Sequence, residues 1–428
     1  MTLDLDHLLD VPLPPGTKGL PRVPRMFSVR DIGRQEWNLL AGDVPLPAAV
    51  IRTSALDNNL RVMQAYLDAA GAKLAPHGKT TLCPQLFQRQ LASGAWGITV
   101  ATVSQLALCH EIGVERVFIA NEVVGPAEVA LLAQLSAERP ERLYYVLIDS
   151  LEGARQLQAA FAGQPDAPAA RVLIEIGMPG GRCGVRTADE GLALARAVSG
   201  FDRLQLCGIE GYEGLIVGPD PRVDSDKVTA YLDTVLAVFR TCRSKGLFAD
   251  AGDVLLSAGG SVYFDLVARM FATPEGQGVT LLVRSGCYLT HDSGFYRRML
   301  AEVEHRALLG PAPRLEPALE VWARVLSMPE AGRAILSAGK RDLSFDIDLP
   351  EPLWHARSGG KPSGVSGWRI DKLTDQHAFL KLPEDAGLQV GDLVGLGISH
   401  PCTTFDKWPL MLEVDDDYTI TGGFKTFF

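Results

Sequence analysis

The sequence predicts an α/β protein, a (β/α)8 TIM barrel joined to a C-terminal β domain. Three observations lead there. Short apolar runs alternate with helix-period stretches between Lys73 and Val283, and such alternation implies a parallel sheet covered by helices. The alternation supplies the strand number of a closed barrel, whereas an open doubly wound sheet usually uses fewer strands. From about Glu302 the helical period gives way to short strand-like runs separated by Gly and Pro turns.

Length and composition bound the possibilities. The chain has 428 residues, which suits two domains better than one core. A charged fraction of 21% and a hydrophobic fraction of 47% are those of a soluble globular protein. A net charge of −10 argues against nucleic acid or an anionic membrane surface as partner. Residues 1–15 are acidic and Pro-rich without the apolar stretch of a signal peptide. No apolar run reaches the roughly 18 residues of a membrane span. Seven cysteines without framework spacing fit a reducing compartment. A cytoplasmic enzyme is the expectation.

Taken in order, residues 1–47 read as an extended arm associated with the β domain. Pro12, Pro14, Pro15, Pro21 and Pro24 prevent long helices there, with a short helix expected around Val29–Leu40. The barrel domain is taken as residues 48–300. Its first strand, Ala48–Arg52, leads into an amphipathic helix from Ala55 to Ala70 that Thr53 and Ser54 can cap. Barrel strands are expected at Lys73–Pro76, Gly97–Ala101, Arg116–Ala120, Leu143–Asp149, Arg171–Ile176, Leu204–Ile209, Asp253–Ser257 and Thr280–Val283. Helices are expected between them, the last at Ser261–Ala268. The β domain, residues 301–428, has strands expected at Ala318–Leu326, Arg333–Ser337, Gly367–Leu373, Ala378–Leu382 and Asp392–Leu396. Ser358–Gly364 reads as a flexible loop.

A barrel of this type places its active site at the C-terminal ends of its strands, and polar and Gly-rich groups collect there. Lys79 follows the first barrel strand, with His77 two residues before it and Gly78 beside it. The fifth strand runs into Glu175–Gly184, which contains Arg182, and the sixth into Glu210–Gly214, which contains Tyr212. Tyr212 reads equally well as an amphipathic core residue. The seventh and eighth strands end in Ser257-Ala258-Gly259-Gly260-Ser261 and Arg284-Ser285-Gly286-Cys287-Tyr288. Those two ends are where barrels commonly bind phosphate. Gly259, Gly260 and Gly286 let backbone N–H groups approach an anion, and Ser261 is expected to open a helix whose N-terminus favours negative charge. One Gly-Gly-Ser is more often a plain turn; two such loops at neighbouring strand ends carry more weight. A phosphate site facing a strand-end lysine suggests pyridoxal phosphate, whose aldehyde needs a lysine amine.

A second group lies in the β domain, where His400 and Cys402 stand two apart in an extended segment and project to one side. Both suit Zn²⁺, and two protein ligands leave open positions for chemistry. By itself the pair is more often structural. The thiols of Cys83, Cys109, Cys183, Cys207, Cys242 and Cys287 read as having no role.

Pro76-His77-Gly78-Lys79-Thr80, Gly181-Arg182-Cys183-Gly184-Val185, Gly211-Tyr212-Glu213-Gly214, Ser257–Ser261, Arg284–Tyr288 and His400-Pro401-Cys402 occur in this order. The series resembles the alanine-racemase-like (fold type III) pyridoxal phosphate enzymes, in the D-serine dehydratase and D-threonine aldolase group. The similarity runs from about Ala48 to Asp406. It implies that Lys79 carries the cofactor, that Gly259, Gly260, Ser261, Gly286, Cys287 and Tyr288 hold its phosphate, mainly by backbone, and that Ser257 and His77 are also cofactor-binding. It places Arg182 and Tyr212 near the ring, and His400 and Cys402 on a divalent cation. It also assigns the Ala48–Arg52 strand to the β domain and implies a homodimer. The aldolases resemble one another in an Asp where this chain has Cys402, so the resemblance leans toward the zinc-dependent D-serine dehydratase type. Ala75 and Thr81-Leu82 depart from the Arg and the His-Lys pair frequent in the family, which bears on substrate carboxylate contacts.

The resemblance thus implies a lyase that converts D-serine or a related D-3-hydroxy amino acid to a 2-oxo acid and ammonia. Lys79 would take the α-proton, and Zn²⁺ or another divalent cation would assist the departing β-hydroxyl. The alternative is a D-threonine-type aldolase that breaks the Cα–Cβ bond. A non-catalytic pyridoxal phosphate carrier is a third reading, disfavoured because such carriers resemble a lone barrel.

Overall fold

A computed structural model describes residues 2–22, 27–250, 252, 254–272 and 278–428. Pro24 and Asp253, used in the sequence reading, lie outside the described residues.

Ala48–Arg52 forms β1, buried along its length as its apolar residues demand. It does not join the barrel. It pairs antiparallel with β10 (Leu319–Glu330) and parallel with β17 (Leu410–Val414), inside the β-domain sheet. The helix Thr53–Ala69 then delivers the chain to the barrel.

The barrel strands are β2 (Lys73–Leu74), β3 (Ile98–Val100), β4 (Arg116–Glu122), β5 (Leu143–Ile148), β6 (Ala170–Ile176), β7 (Leu204–Gly211), β8 (Val254–Ala258) and β9 (Val279–Val283). All pair in parallel, in the order β2-β9-β8-β7-β6-β5-β4-β3. The two free edges meet: Trp96 N–H donates to Leu74 O (2.7 Å), Thr99 N–H to Pro76 O (2.9 Å), and His77 bridges Thr99. The sheet therefore closes. Its interior is filled by Phe118, Tyr145, Leu147, Leu173, Cys207, Leu255 and Leu282, so the barrel is a packed core with its opening at one end.

The connecting helices form where the apolar period is 3.6 and a polar residue precedes it. Thr102, Ser150 and Thr187 each accept a backbone N–H at a helix start, Thr187 in a capping box with Glu190. One expectation fails here. The helix after β8 runs Phe264–Phe271 and does not begin at Ser261, because residues 261–263 are consumed in the loop that meets β9. A helix at Phe295–Arg306 was not expected. Its Arg306 grips Asp265 with two 2.8 Å hydrogen bonds, a bidentate geometry that fixes it against the preceding helix.

The second sheet has ten strands and contains β1, β10, β11 (Arg333–Leu336), β12 (Glu351–Ala356), β13 (Ser363–Gly364), β14 (Arg369–Leu373), β15 (Ala378–Lys381), β16 (Leu393–Gly397), β17 and β18 (Ile420–Lys425). β12, β13, β17 and β18 escape the sequence reading, and the expected Ser358–Gly364 loop ends in β13. At its centre the buried Glu320 accepts from Trp322 Nε1 (2.9 Å), Trp354 Nε1 (3.0 Å) and the Tyr418 hydroxyl (2.9 Å). A buried carboxylate met by several donors holds the sheet in one arrangement.

The arm is less extended than expected, with a helix at Asp6–Leu9 and a 3-10 turn at Val29–Arg34 in place of Val29–Leu40. β18 leans on the barrel beside Lys79: Gln85 Nε2 donates to Gly423 O (2.8 Å) and Phe427 N–H to Leu82 O (3.0 Å). Among the described residues, no helix is long and apolar enough to cross a membrane.

Candidate functional site

β2 stops after two residues because Pro76 cannot continue the ladder. The chain then tightens into a 3-10 turn, Gly78–Thr80. Leu82 N–H donates to Gly78 O (2.8 Å), which pins the turn. Lys79 projects from it into a cleft at the barrel mouth with an empty volume of about 710 Å³. His77, Arg182, Tyr212 and Gly259 line the same cleft, so five of the expected residues meet there.

Burial lowers the Lys79 amine from its usual value, with Arg182 adding to the effect and Cys402 opposing it. His77 is held well below its usual value, first by burial and then by Lys79 and Arg284, so its ring is neutral. Its buried Nδ1 has no hydrogen-bond partner among the described residues. The Arg182 guanidinium lies 4.3 Å from the centre of the Tyr212 ring, a cation–π contact. Tyr212 is therefore a cleft residue.

The last two barrel loops are drawn together. Ser261 Oγ accepts from Cys287 N–H (3.2 Å), and Ser285 Oγ donates to Gly260 O (3.0 Å). A Cβ on Gly286 would stand 2.6 Å from His77 O and 2.7 Å from Thr80 Oγ1. Glycine alone lets this loop reach the lysine turn. The amides of Ser261 and Gly286 have no acceptor among the described residues.

Gly259 and Gly260 differ from the expectation. Their N–H groups donate to the carboxylate of Glu213, at 3.0 and 2.8 Å. Glu213 is completely buried, and that burial pushes its carboxyl up to about 7. A carboxyl group already occupies the two amides that were expected to meet the phosphate. Ser257 is also committed elsewhere: its hydroxyl donates to Leu282 O (2.9 Å) and accepts from Arg284. The Tyr288 ring is buried in the main core with its hydroxyl near Gln90 Nε2 (3.4 Å), not in the cleft.

Besides Glu213, four charged residues were given no role by the sequence: Arg284, Glu210, Glu175 and Asp346. Arg284 is paired with Glu210 at 2.8 Å, both nearly inaccessible, and burial pushes Glu210 to about 7. Glu175 also lines the cleft; burial and the neighbouring Glu122 push it to about 8. Their signal was present, as each charge ends an apolar strand. Asp346 had none.

Cys402 opens a one-turn helix that meets the lysine turn, its Sγ 3.5 Å from Thr80 Oγ1 and 3.7 Å from Cys287 Sγ. The Cys287 thiol, expected to be idle, thus faces a candidate ligand, as Cys183 faces the cleft. Cys287 holds Cys402 below the usual thiol range. His400 Nδ1 lies 2.6 Å from Asp346 Oδ2. His400 and Cys402 provide two donors, and among the described residues no three His, Cys, Asp or Glu form a ready metal cluster.

Comparison with known proteins follows the two-part architecture. Residues 51–264 match the alanine racemase N-terminal domain, and residues 318–414 match the serine dehydratase domain. The D-threonine aldolase of an Arthrobacter species is 29% identical over 379 residues, covering 87% of this chain and 90% of the relative. The D-threonine aldolase structure from Filomicrobium marinum superposes with a TM-score of 0.74 at 27% identity, covering 90% and 95% of the two chains. The D-threo-3-hydroxyaspartate dehydratase of Delftia sp. HT23 superposes at 0.71 with 23% identity, covering 91% and 99%; a variant of such a dehydratase has been solved in a metal-free form.

Proposed function

Because the chain belongs to the alanine racemase N-terminal domain family, and so to the fold type III pyridoxal phosphate enzymes, we propose that it is a dehydratase acting on D-serine or a related D-3-hydroxy amino acid. The products would be a 2-oxo acid and ammonia. The observation that carries this reading is Lys79, presented at the barrel mouth with its amine shifted toward neutrality by burial.

The residues fit the cofactor. The unpartnered His77 Nδ1, the free Ser261 and Gly286 amides and the glycine-only approach at 286 form a cradle beside Lys79. Pyridoxal phosphate would supply an electron sink for the α-carbon, and a divalent cation on His400 and Cys402 a Lewis acid for the β-hydroxyl. Lys79 Nζ would hold the cofactor, and the same amine is placed to act as the base for the substrate's α-proton. A neutral amine is required for that step, and desolvation shifts Lys79 in that direction. Arg182, stacked on Tyr212, offers a guanidinium to a substrate or cofactor anion. Glu175, largely protonated at neutral pH, leaves the cleft less negative for an anionic substrate.

Cys402 supports C–O cleavage, because a thiolate ligand favours Zn²⁺ over Mg²⁺ or Mn²⁺. The D-threonine aldolase relative supports a second reading, retro-aldol cleavage to glycine and an aldehyde. Incubation with D-serine, D-threonine and D-threo-3-hydroxyaspartate, with and without chelator, separates them. Ammonia and 2-oxo acid are expected, and an aldehyde with glycine would make it an aldolase. Equal activity after metal stripping would sink the metal role, and unchanged cofactor absorbance in Lys79→Ala would sink the cofactor assignment. The reading includes a homodimer, supported by Phe345, Ile347 and Leu349, which alternate exposed along one segment.

A further inference from the structure

We propose that Asp346 is a positioning residue that presents the His400 imidazole to a divalent cation; this rests on reading His400 and Cys402 as the metal ligands. Asp346 Oδ2 lies 2.6 Å from His400 Nδ1, and its other oxygen accepts from Thr403 Oγ1 at 2.7 Å. A carboxylate only accepts, so Nδ1 carries the proton and the lone pair is on Nε2. Nε2 makes no hydrogen bond among the described residues. The tautomer is therefore the one a metal requires.

Asp346 is not a loose surface carboxylate that happens to meet a histidine. The segment carrying it is tied to both flanks of His400. Ser344 N–H donates to Thr404 Oγ1 (3.1 Å), Asp348 N–H to Ser399 Oγ (3.0 Å), and that hydroxyl donates back to Asp348 O (2.9 Å). The carboxylate is thus fixed relative to the imidazole from both sides. Its charge also favours electron donation from Nε2 to a cation.

The test uses the cofactor-loaded enzyme, stripped of metal and titrated with Zn²⁺ against a chromogenic chelator, with a Co²⁺ visible spectrum as second readout. Asp346→Asn keeps an acceptor for Nδ1 but loses the charge; it is expected to weaken Zn²⁺ binding about tenfold or more and perturb the Co²⁺ bands, with cofactor absorbance unchanged. Asp346→Glu is expected to recover most of the affinity. Wild-type affinity in Asp346→Asn, with binding lost in His400→Ala, would overturn the positioning role and leave the metal site standing. Equal binding in wild type and His400→Ala, or none in either, would remove the metal site itself and the proposal with it. Loss of cofactor absorbance in Asp346→Asn would show a merely structural role and also overturn it.

Discussion

Replacing Glu213 by glutamine separates the charge of this buried side chain from its shape. The carboxylate is completely buried and accepts the N–H groups of Gly259 and Gly260 at 3.0 and 2.8 Å. Burial nevertheless dominates, and the carboxyl rises from its ordinary 4.5 to about 7. The folded chain therefore holds this proton more tightly than the unfolded chain. The stability it contributes is complete below about pH 4.5 and is lost as pH rises through about 7. That loss amounts to about 2–3 kcal/mol between pH 5 and pH 8. Glutamine does not titrate, so Glu213→Gln should match wild type at pH 5 and exceed it by about 2–3 kcal/mol at pH 8. Urea denaturation of the cofactor-free protein at both pH values gives the comparison. Parallel pH dependences in the two proteins would refute the burial argument.

Two further substitutions probe the neighbouring loops. Gly286→Ala places a methyl group 2.6 Å from the His77 carbonyl; a stability loss of about 1–3 kcal/mol is expected, with a larger loss of cofactor affinity, measured by absorbance titration. Arg284→Met leaves Glu210 buried and alone and should cost about 3–5 kcal/mol in denaturation, while adding Glu210→Leu should recover much of it. Failure of the double variant to recover would mean that Arg284 matters chiefly through Ser257 and Gly211, to which it also donates.

What could be read in advance was whatever a local pattern encodes. β6 and β7 are apolar runs bounded by turns, because burial of an apolar face acts over a few residues. The helix at Phe295–Arg306 was lost against the change of pattern near Glu302. Short β12, β13, β17 and β18 were lost because their partners, not their own residues, make them strands.

The sequence by itself determined the barrel, the β domain and the placing of Lys79, Arg182 and Tyr212 at strand ends. Strand ends gather at one mouth whatever the loops do. Only the tertiary structure decided which groups meet there. Glu213 takes the Gly259 and Gly260 amides because β7 and β8 are adjacent. Cys287 meets Cys402 across 115 positions of chain, and Asp346 meets His400 across 54. Such pairings depend on packing between distant segments, and so do the raised carboxyls and the lowered amine of Lys79, since desolvation is a property of the surroundings and not of the residue.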